Sequence, residues 1–529
     1  MHRTLHPDSG STAAALAHAA ATAGALALLI CSAAAFLPHQ SLWVDETTQL
    51  SGIGLGPRQL LDWLIGNGPD LGVPADRMPP GSYLLQMGWS AIFGLSEAKM
   101  RWLSIAFVVI GALFTATAAW RAYNRVASTA TAALFLALSP NVVGLAVEIR
   151  AYPAFLMLSG IGTYLLVRTL QSRPEARPAW LAVLSAVLIA AGFTHFFGVV
   201  YACATLGALL LDARRNRRSF MPVLLCIAAV SIAYVGLAPF LAAAVKMSIP
   251  APGAVAADRP PLVGAVRLVY RLYGNPLLAG SVTATVLATA GFGLAIGAAL
   301  FSRLGDDPVG VAVALTLAGG LAIAVAGSFV TAGFDSTSPS YNVWVLPPLA
   351  LLLSRSVAAA RRSLRWIGVV GATCLLAGST AAMVRLYRHP DTYAHGPQKR
   401  ILALLSTLGA GNAAIVHDGD SDAAGHVFFP VRYTFGRSVL QYMCAVPCRH
   451  LTDFDPRDRQ PAPPGPFAIV IRTRHTSAAD LAREVLDPRV SVPPLAASEL
   501  FREQGWETVS REQIRALVSA EVEVLQRKH

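Results

Sequence analysis

Apolar residues run along this chain in long blocks rather than at the spacing of an amphipathic helix or strand. Blocks fall at about 13–37, 81–95, 102–120, 126–147, 151–168, 180–211, 220–245, 279–301, 308–332, 340–354 and 366–384. A helix needs about 20 consecutive apolar residues to cross the hydrocarbon of a bilayer, so most blocks predict one span each. Two blocks depart from that length. Block 180–211 predicts a helical hairpin with its tip near Thr194–His195–Phe196. Block 81–95 is short and follows Pro79-Pro80, which fits a helix packed in or along the membrane interface.

The placement of arginine orders the blocks. Clusters stand at Arg121/Arg125, Arg168/Arg173/Arg177, Arg214/Arg215/Arg217/Arg218, Arg303 and Arg355/Arg361/Arg362/Arg365. Short cytoplasmic loops carry the Lys/Arg excess of membrane proteins. Setting all five clusters inside makes the intervening segments cross in pairs and keeps 81–95 from crossing. The expectation is then about eleven spans, a cytoplasmic N-terminus and a large first outer loop, 38–101.

Composition agrees. Of 529 residues, 54% are hydrophobic and 14% charged, against about 25% charged in a soluble protein. The net charge of +12 therefore reads as loop arginines meeting anionic lipid or lipid phosphate, with no nucleic-acid partner implied. The first apolar run, Ser11–Leu37, is too long for the core of a cleaved signal and reads as the first span.

After Val384 the character changes. Residues 385–529 are polar, with strand-like runs (AAIV, 413–416; FAIVI, 467–471) and helix-like runs (RILALLSTL, 400–408; REQIRALVSAEVEVL, 511–525). Alternating helix and strand predicts a small α/β domain, which an odd number of spans puts outside the membrane. Domains are thus expected at 1–384, a transmembrane catalytic module, and 385–529, a soluble extracytoplasmic domain. Within the latter, HDGDSD (417–422) reads as a solvated turn, because the rest of a calcium loop is missing. Cys444 and Cys448 suit a small disulfide loop, since nothing nearby completes a zinc site.

With that topology, unusual residues collect at the outer face. Asp45 and Glu46 follow the first span in SLWVDETTQ. Arg77 and Arg101 lie in the outer loop. Glu148, Arg150 and Tyr152 lie in VEIRAYPAF, His195 in FTHFFG, and Tyr341 and Asn342 in SPSYNVWVLPP. The 246–275 loop adds Lys246, Arg259, Arg267 and Arg271. Each has a plain structural reading: a helix cap at Asp45, an ion pair between Glu148 and Arg150, a packed histidine at 195, snorkelling loop cations. Ionisable groups at membrane depth are costly, however, and commonly mark a site. A carboxylate can take a proton from a hydroxyl. Arginines can hold a departing phosphate. Interfacial aromatics can hold a sugar or an isoprenoid end. These groups together suit transfer of a glycosyl group from a membrane-anchored phosphate sugar.

The order WVDET, RMPPGSYLLQMGWSAIFGLSEAKMRWLS, VEIRAYPAFLML, FTHFFG and SPSYNVWVLPPLALL resembles the GT-C glycosyltransferase superfamily over roughly residues 20–385. It is most similar to the bacterial RgtA/B/C/D-like branch related to protein O-mannosyltransferases and lipid A sugar transferases. The resemblance implies a polytopic α-helical GT-C fold in a bacterial inner membrane and an inverting, polyprenyl-phosphate-sugar-dependent transferase. It implies Asp45 as the base that activates the acceptor and Glu46 as its positioning neighbour. Arg101 would approach the donor phosphate. Glu148, Arg150 and Tyr152 match the family's Glu-x-Arg-x-Tyr segment, and His195 its Thr-His-Tyr/Phe segment. Two departures stand out. Met78 precedes Pro79-Pro80 where relatives often carry histidine, which weakens the case for a metal; the residues fix no cofactor, and a divalent cation stays an option. Asn342 follows Tyr341 where many relatives carry arginine, so donor phosphate would lean on Lys246, Arg267 or Arg271. Partners implied are a polyprenyl-phosphate sugar, membrane lipid, and a glycolipid, glycan or protein acceptor. The rival readings are a transporter or flippase of lipid-linked sugars, which would show interrupted helices and repeat symmetry at mid-membrane, and a non-catalytic membrane partner.

Overall fold

The computed structural model describes residues 11–73, 76, 78–248, 268, 270, 281–302, 304, 307–330, 338–359, 361–390, 396–418, 421–435, 438–444, 452–453, 465–475, 495–514 and 518–528. The chain divides into two compact units. One holds Met1–Leu37, Ile53–Gly68 and Asp76–Val384; the other holds Pro38–Gly52, Pro69–Ala75 and Arg385–His529.

The first unit is helical. In chain order the helices of its N-terminal half are α1 (Ser11–Phe36), then, after α2 (Val44–Ile53) of the other unit, α3 (Pro57–Leu64), α4 (Gly81–Phe93), α5 (Glu97–Tyr123), α6 (Val126–Ala137), α7 (Pro140–Ala146) and α8 (Ala151–Gln171). There follow α9 (Arg177–Thr194), α10 (Phe197–Arg215), α11 (Met221–Val235), α12 (Ala238–Ser248), α13 (Val282–Phe301), α14 (Pro308–Val330), α15 (Leu346–Ala358) and α16 (Arg362–Arg388). Among the described residues, eight helices are long and apolar enough to cross a membrane, or ten if two bent pairs each count as one span. The protein is thus a multi-pass membrane protein. The bent pairs are α6–α7, at 61°, and α11–α12, at 54°. Pro140 opens α7, where it can supply no amide hydrogen to continue α6. Block 340–354 forms a short 3-10 turn, Val343–Val345, and the 13-residue α15. At 13 residues α15 falls short of the eight span-length helices, one reason why fewer than eleven helices meet the length of a span.

Block 180–211 breaks at His195 into α9 and α10. Block 81–95 becomes α4, whose 13 residues extend about 20 Å at 1.5 Å per residue, short of a roughly 30 Å hydrocarbon core. The closest helix pairing is α5 with α8. A Cβ on Gly160 would stand 2.4 Å from the Gly111 carbonyl oxygen, so these two positions must stay bare for the backbones to touch.

The arginine-rich helix ends are tied by buried pairs. Arg177 meets Asp212 at 3.1 Å. Arg355 meets Asp307 at 2.7 Å and the Ser302 carbonyl at 2.7 Å. A charge out of water must be paired and hydrogen-bonded, and these are.

The second unit carries a six-stranded sheet. Its helices are α17 (Gln398–Leu408), α18 (Ser421–Phe435) and α19 (Ala496–Glu503); its strands are β1 (Ala413–Asp418), β2 (Leu440–Cys444), β3 (Thr452–Asp453), β4 (Phe467–His475), β5 (Trp506–Ile514) and β6 (Val518–Arg527). Spatial order is β3-β2-β1-β4-β6-β5, with β1 parallel to β2 and β4 and the other pairs antiparallel. One face packs Ile415, Ile469 and Val522 on Ile401, Leu405, Val427 and Val431 of α17 and α18. The opposite face packs Val416, Val470 and Leu525 on Phe501 of α19 and Trp506.

Run 511–525 corrects the helix expected there. It lies in the β5–β6 hairpin, in which β6 pairs with β4 from Gln526 to Val518. The period-two pattern of Ala520, Val522 and Val524 outweighs the helix-forming charges between them. HDGDSD also differs: His417 and Asp418 are the buried end of β1 rather than part of a solvated turn. Cys444 is disulfide-bonded, while Cys448 lies outside the described residues.

Candidate active site

In the helical unit, the sequence around α8 determines the arrangement. Val147–Arg150 leaves the helical path between α7 and α8, and Arg150 is the extended residue at the start of α8. Two groups on α5 hold this segment. Arg101 donates to the Val147 carbonyl, and Ser104 Oγ donates to the Glu148 carbonyl at 2.6 Å. Arg101 is fully buried and its guanidinium also reaches Glu97 at 3.0 Å. In this arrangement Arg101 works as a strut under Glu148 and Arg150.

Glu148 and Arg150 are both buried. Arg150 grips Asp76, Nη1 to Oδ2 at 3.0 Å and Nη2 to Oδ1 at 3.4 Å. Tyr83 of α4 donates to the same Asp76 Oδ2 at 2.5 Å. Asp76 is 7% exposed and Tyr83 fully buried. Asp76 is the residue that sequence reasoning passed over. The available signal was an acid standing immediately before the sequence Arg77-Met78-Pro79-Pro80. The N-terminus of α4 is pressed against the end of α9: a Cβ on Gly81 would lie 2.6 Å from the Phe193 carbonyl oxygen.

His195 stands next along. Its ring stacks on Phe155, with centroids 5.3 Å apart and planes 5° apart, and lies 5.5 Å from both Tyr152 and Tyr341. The Phe197 amide donates to Nδ1 at 3.1 Å. An accepting Nδ1 carries no proton, so the neutral ring holds its hydrogen on Nε2. That Nε2 is buried and has no acceptor among the described residues. Arg150 approaches the Tyr152 ring at 6.0 Å. The structure therefore brings Arg101, Glu148, Arg150, Tyr152, His195 and Tyr341 together with Asp76 and Tyr83. Lys246, near the end of α12, is exposed, and no described contact joins it to this cluster. Arg267 and Arg271 lie outside the described residues.

Asp45 and Glu46 belong to the other unit. They occupy the first turn of α2, where negative charge meets the positive end of the helix. Val44 opens the helix, so Asp45 is not its cap, and Glu46 is fully buried rather than solvated. Thr47 and Thr48 hydroxyls close on the Val44 carbonyl at 2.7 and 3.0 Å.

Among the described residues no three His, Cys, Asp or Glu side chains converge to hold a metal ion. The Asp76 oxygens accept from Arg150 and Tyr83.

A long-spanned helical unit with buried charge at the helix ends, joined to a small sheet unit, is the architecture of the GT-C membrane glycosyltransferases, and this chain has that fold. Residues 77–241 match the sequence profile of the family described as dolichyl-phosphate-mannose-protein mannosyltransferase. The chain is similar in structure to ArnT from Cupriavidus metallidurans bound to undecaprenyl phosphate, with TM-score 0.52, 13% identity, and coverage of 95% of this chain and 97% of that one. The apo state of the same enzyme gives TM-score 0.51 at 13% identity, with 95% and 98% covered. An Archaeoglobus fulgidus oligosaccharyltransferase tethered to an acceptor peptide matches more loosely, at TM-score 0.43 and 13% identity over 73% of this chain and 57% of that one. No curated protein matches in sequence.

Proposed function

We propose that the protein is an integral-membrane glycosyltransferase. It moves a sugar from a polyprenyl-phosphate donor to a hydroxyl of a glycolipid, cell-envelope glycan or protein at the outer face of a bacterial inner membrane. The carrying observation is that the segment matching the mannosyltransferase profile, 77–241, also holds Tyr83, Arg101, Glu148, Arg150, Tyr152 and His195 in one buried cluster.

In this reading the Asp45 carboxylate takes the proton of the acceptor hydroxyl as its oxygen attacks the anomeric carbon. The bond from that carbon to the phosphate oxygen breaks, polyprenyl phosphate leaves with the electron pair, and the configuration inverts. Glu46 positions the acceptor or its loop. Arg150 and the strut Arg101 set the positive field in which the phosphate departs. Lys246, Arg267 and Arg271 of the 246–275 loop add cations toward the donor phosphate. The His195 Nε2–H donates to a donor oxygen, and Tyr152 and Tyr341 offer faces to its sugar or its first isoprene unit. Support for a polyprenyl-phosphate donor comes from the ligand of the similar ArnT structure. The arginine-rich helix ends face the cytoplasm and the sheet unit lies outside, as the Lys/Arg bias directs.

The test is Asp45→Asn in purified protein with a polyprenyl-phosphate sugar and candidate acceptors. Loss of transfer is expected; transfer at the wild-type rate would remove Asp45 as the base. Mass spectrometry of envelope glycolipids from a deletion strain identifies the sugar by its absence, and an unchanged glycolipid profile would turn attention to glycan and protein acceptors.

A further inference from the structure

The segment that carries Asp45 is built into the same compact unit as Arg385–His529, more than 330 residues later in the chain. Ser41, Lys399 and the Trp43–His426 pair join them. Ser41 Oγ donates to the Gly396 carbonyl at 3.1 Å and accepts from the Lys399 amide at 3.2 Å. Lys399 Nζ donates to the Pro38 carbonyl and reaches the Gln40 carbonyl at 3.4 Å. Trp43, the residue before α2, stacks on His426 of α18, with planes 7° apart and centroids 6.2 Å apart. Gln398 in turn donates to the His426 carbonyl at 2.6 Å, tying α17 to α18 beneath that stack. Gln40, Ser41 and Leu42 are buried.

These contacts grip Pro38, Gln40, Ser41 and Trp43 in the stretch that leads into α2, and the helix starts at Val44. The Thr47 amide donates to the Trp43 carbonyl at 3.0 Å, so the clamped residue supplies the first hydrogen bond of the helix. Asp45 stands two residues after the stacked Trp43 and four after Ser41. Free rotation of the strand entering α2 would swing the Asp45 carboxylate through several ångströms. A lysine ammonium on two backbone carbonyls, a serine bonded at both ends and a stacked indole remove that freedom.

We infer that the C-terminal unit is a positioning scaffold for the Asp45 loop, acting through Lys399, Ser41 and the Trp43–His426 stack. This rests on the reading of Asp45 as the acceptor-activating base. Lys399, Ser41 and His426 are positioning residues: they act on the reaction by fixing where α2 begins. A displacement of a reacting group by about 1 Å can cost on the order of a hundredfold in rate, so the expected cost of loosening the clamp falls on kcat rather than on donor affinity.

The experiment compares Lys399→Met, Lys399→Arg and Ser41→Ala in the purified full-length protein, with Asp45→Asn alongside. Lys399→Met is expected to lower kcat about ten- to a hundredfold with the donor KM unchanged and amide exchange accelerated across Val44–Ile53. Lys399→Arg keeps donors for the same carbonyls and is expected to recover most of kcat. Ser41→Ala, a small change that leaves the fold intact, is expected to shift both readouts in the same direction. The double variant Asp45→Asn with Lys399→Met is expected to be no slower than Asp45→Asn alone, because residues acting through one group are not additive. Wild-type kcat in both Lys399→Met and Ser41→Ala beside an inactive Asp45→Asn overturns the positioning role and leaves the proposed function standing. So does a loss confined to donor KM. Wild-type turnover in Asp45→Asn overturns the function, and this inference with it.

Discussion

At the scale of single residues, the Asp76–Arg150 pair decides the character of the helical unit's polar cluster. Both groups are nearly out of solvent, and breaking a buried pair by removing one partner typically costs about 3–5 kcal/mol. Asp76→Ala is therefore expected to lower the thermal midpoint of the detergent-solubilised protein by several degrees. Tyr83→Phe, which deletes one hydrogen bond to the same carboxylate, is expected to cost about 1–3 kcal/mol, and thermal melts of the two variants compare them directly. His195 separates packing from chemistry. His195→Phe keeps a flat ring against Phe155 and removes the Nε2 hydrogen, so the melt should stay near wild type while transfer falls. Equal transfer by His195→Phe would assign the histidine to packing alone.

At the scale of elements, α5 and α8 carry the cluster, and their closeness depends on having no side chain at Gly111 and Gly160. Gly160→Leu is expected to force the helices apart and to move the 147–150 segment off its Arg101 and Ser104 anchors. Loss of both folded yield and transfer would follow, whereas Gly207→Leu, where a Cβ meets nothing within 4 Å, should be tolerated. The apolar blocks made these helices legible before any coordinates, and His195 as the turn of the 180–211 hairpin with them. Run 511–525 was less legible. Its Glu, Arg, Ala and Leu content favours helix locally, and the strand emerges only because β4 offers an edge across which Val518–Gln526 can pair. Asp76 was hidden for a related reason. An isolated acid in a polar loop looks solvated until Arg150, 74 residues on, and Tyr83, seven residues on in α4, close on it.

On the scale of the whole molecule, the two kinds of helix end have different roles. On α5, α8, α9 and α10 the arginine-cluster end is opposite the end that faces the candidate site. Single cysteines at Arg214 and at Ser96 should thus differ in labelling by a membrane-impermeant maleimide in intact cells, with Ser96→Cys reactive and Arg214→Cys protected. The reverse pattern would invert the proposed orientation. The sheet unit adds a pH signature. Burial lowers the His417 imidazole to about 4, while in the unfolded chain it titrates near 6.5. Stability from this group is complete above about pH 6.5 and falls by about 3 kcal/mol as the pH drops toward 4, because only the unfolded chain takes up the proton. Burial pushes the Glu523 carboxyl up, but hydrogen bonds from Thr508, Arg502 and Arg511 to Oε1 outweigh it and hold it at about 2. Its contribution is present above about pH 4.3 and is lost as the pH falls to 2. Melts of wild type, His417→Asn and Glu523→Gln between pH 7 and 3 should show the upper window flattened in the first variant and the lower one in the second.

The amino-acid order alone determined that this chain crosses a membrane many times, where its spans turn, and that charge gathers beside certain helix ends. Hydrophobic length and arginine placement are local quantities, and the bilayer reads them locally. Tertiary structure alone decided which charges pair, that a late lysine and histidine hold the helix of Asp45 and Glu46, and that the last run is a hairpin. Each of those depends on a partner far away in the chain, and no local pattern names a distant partner.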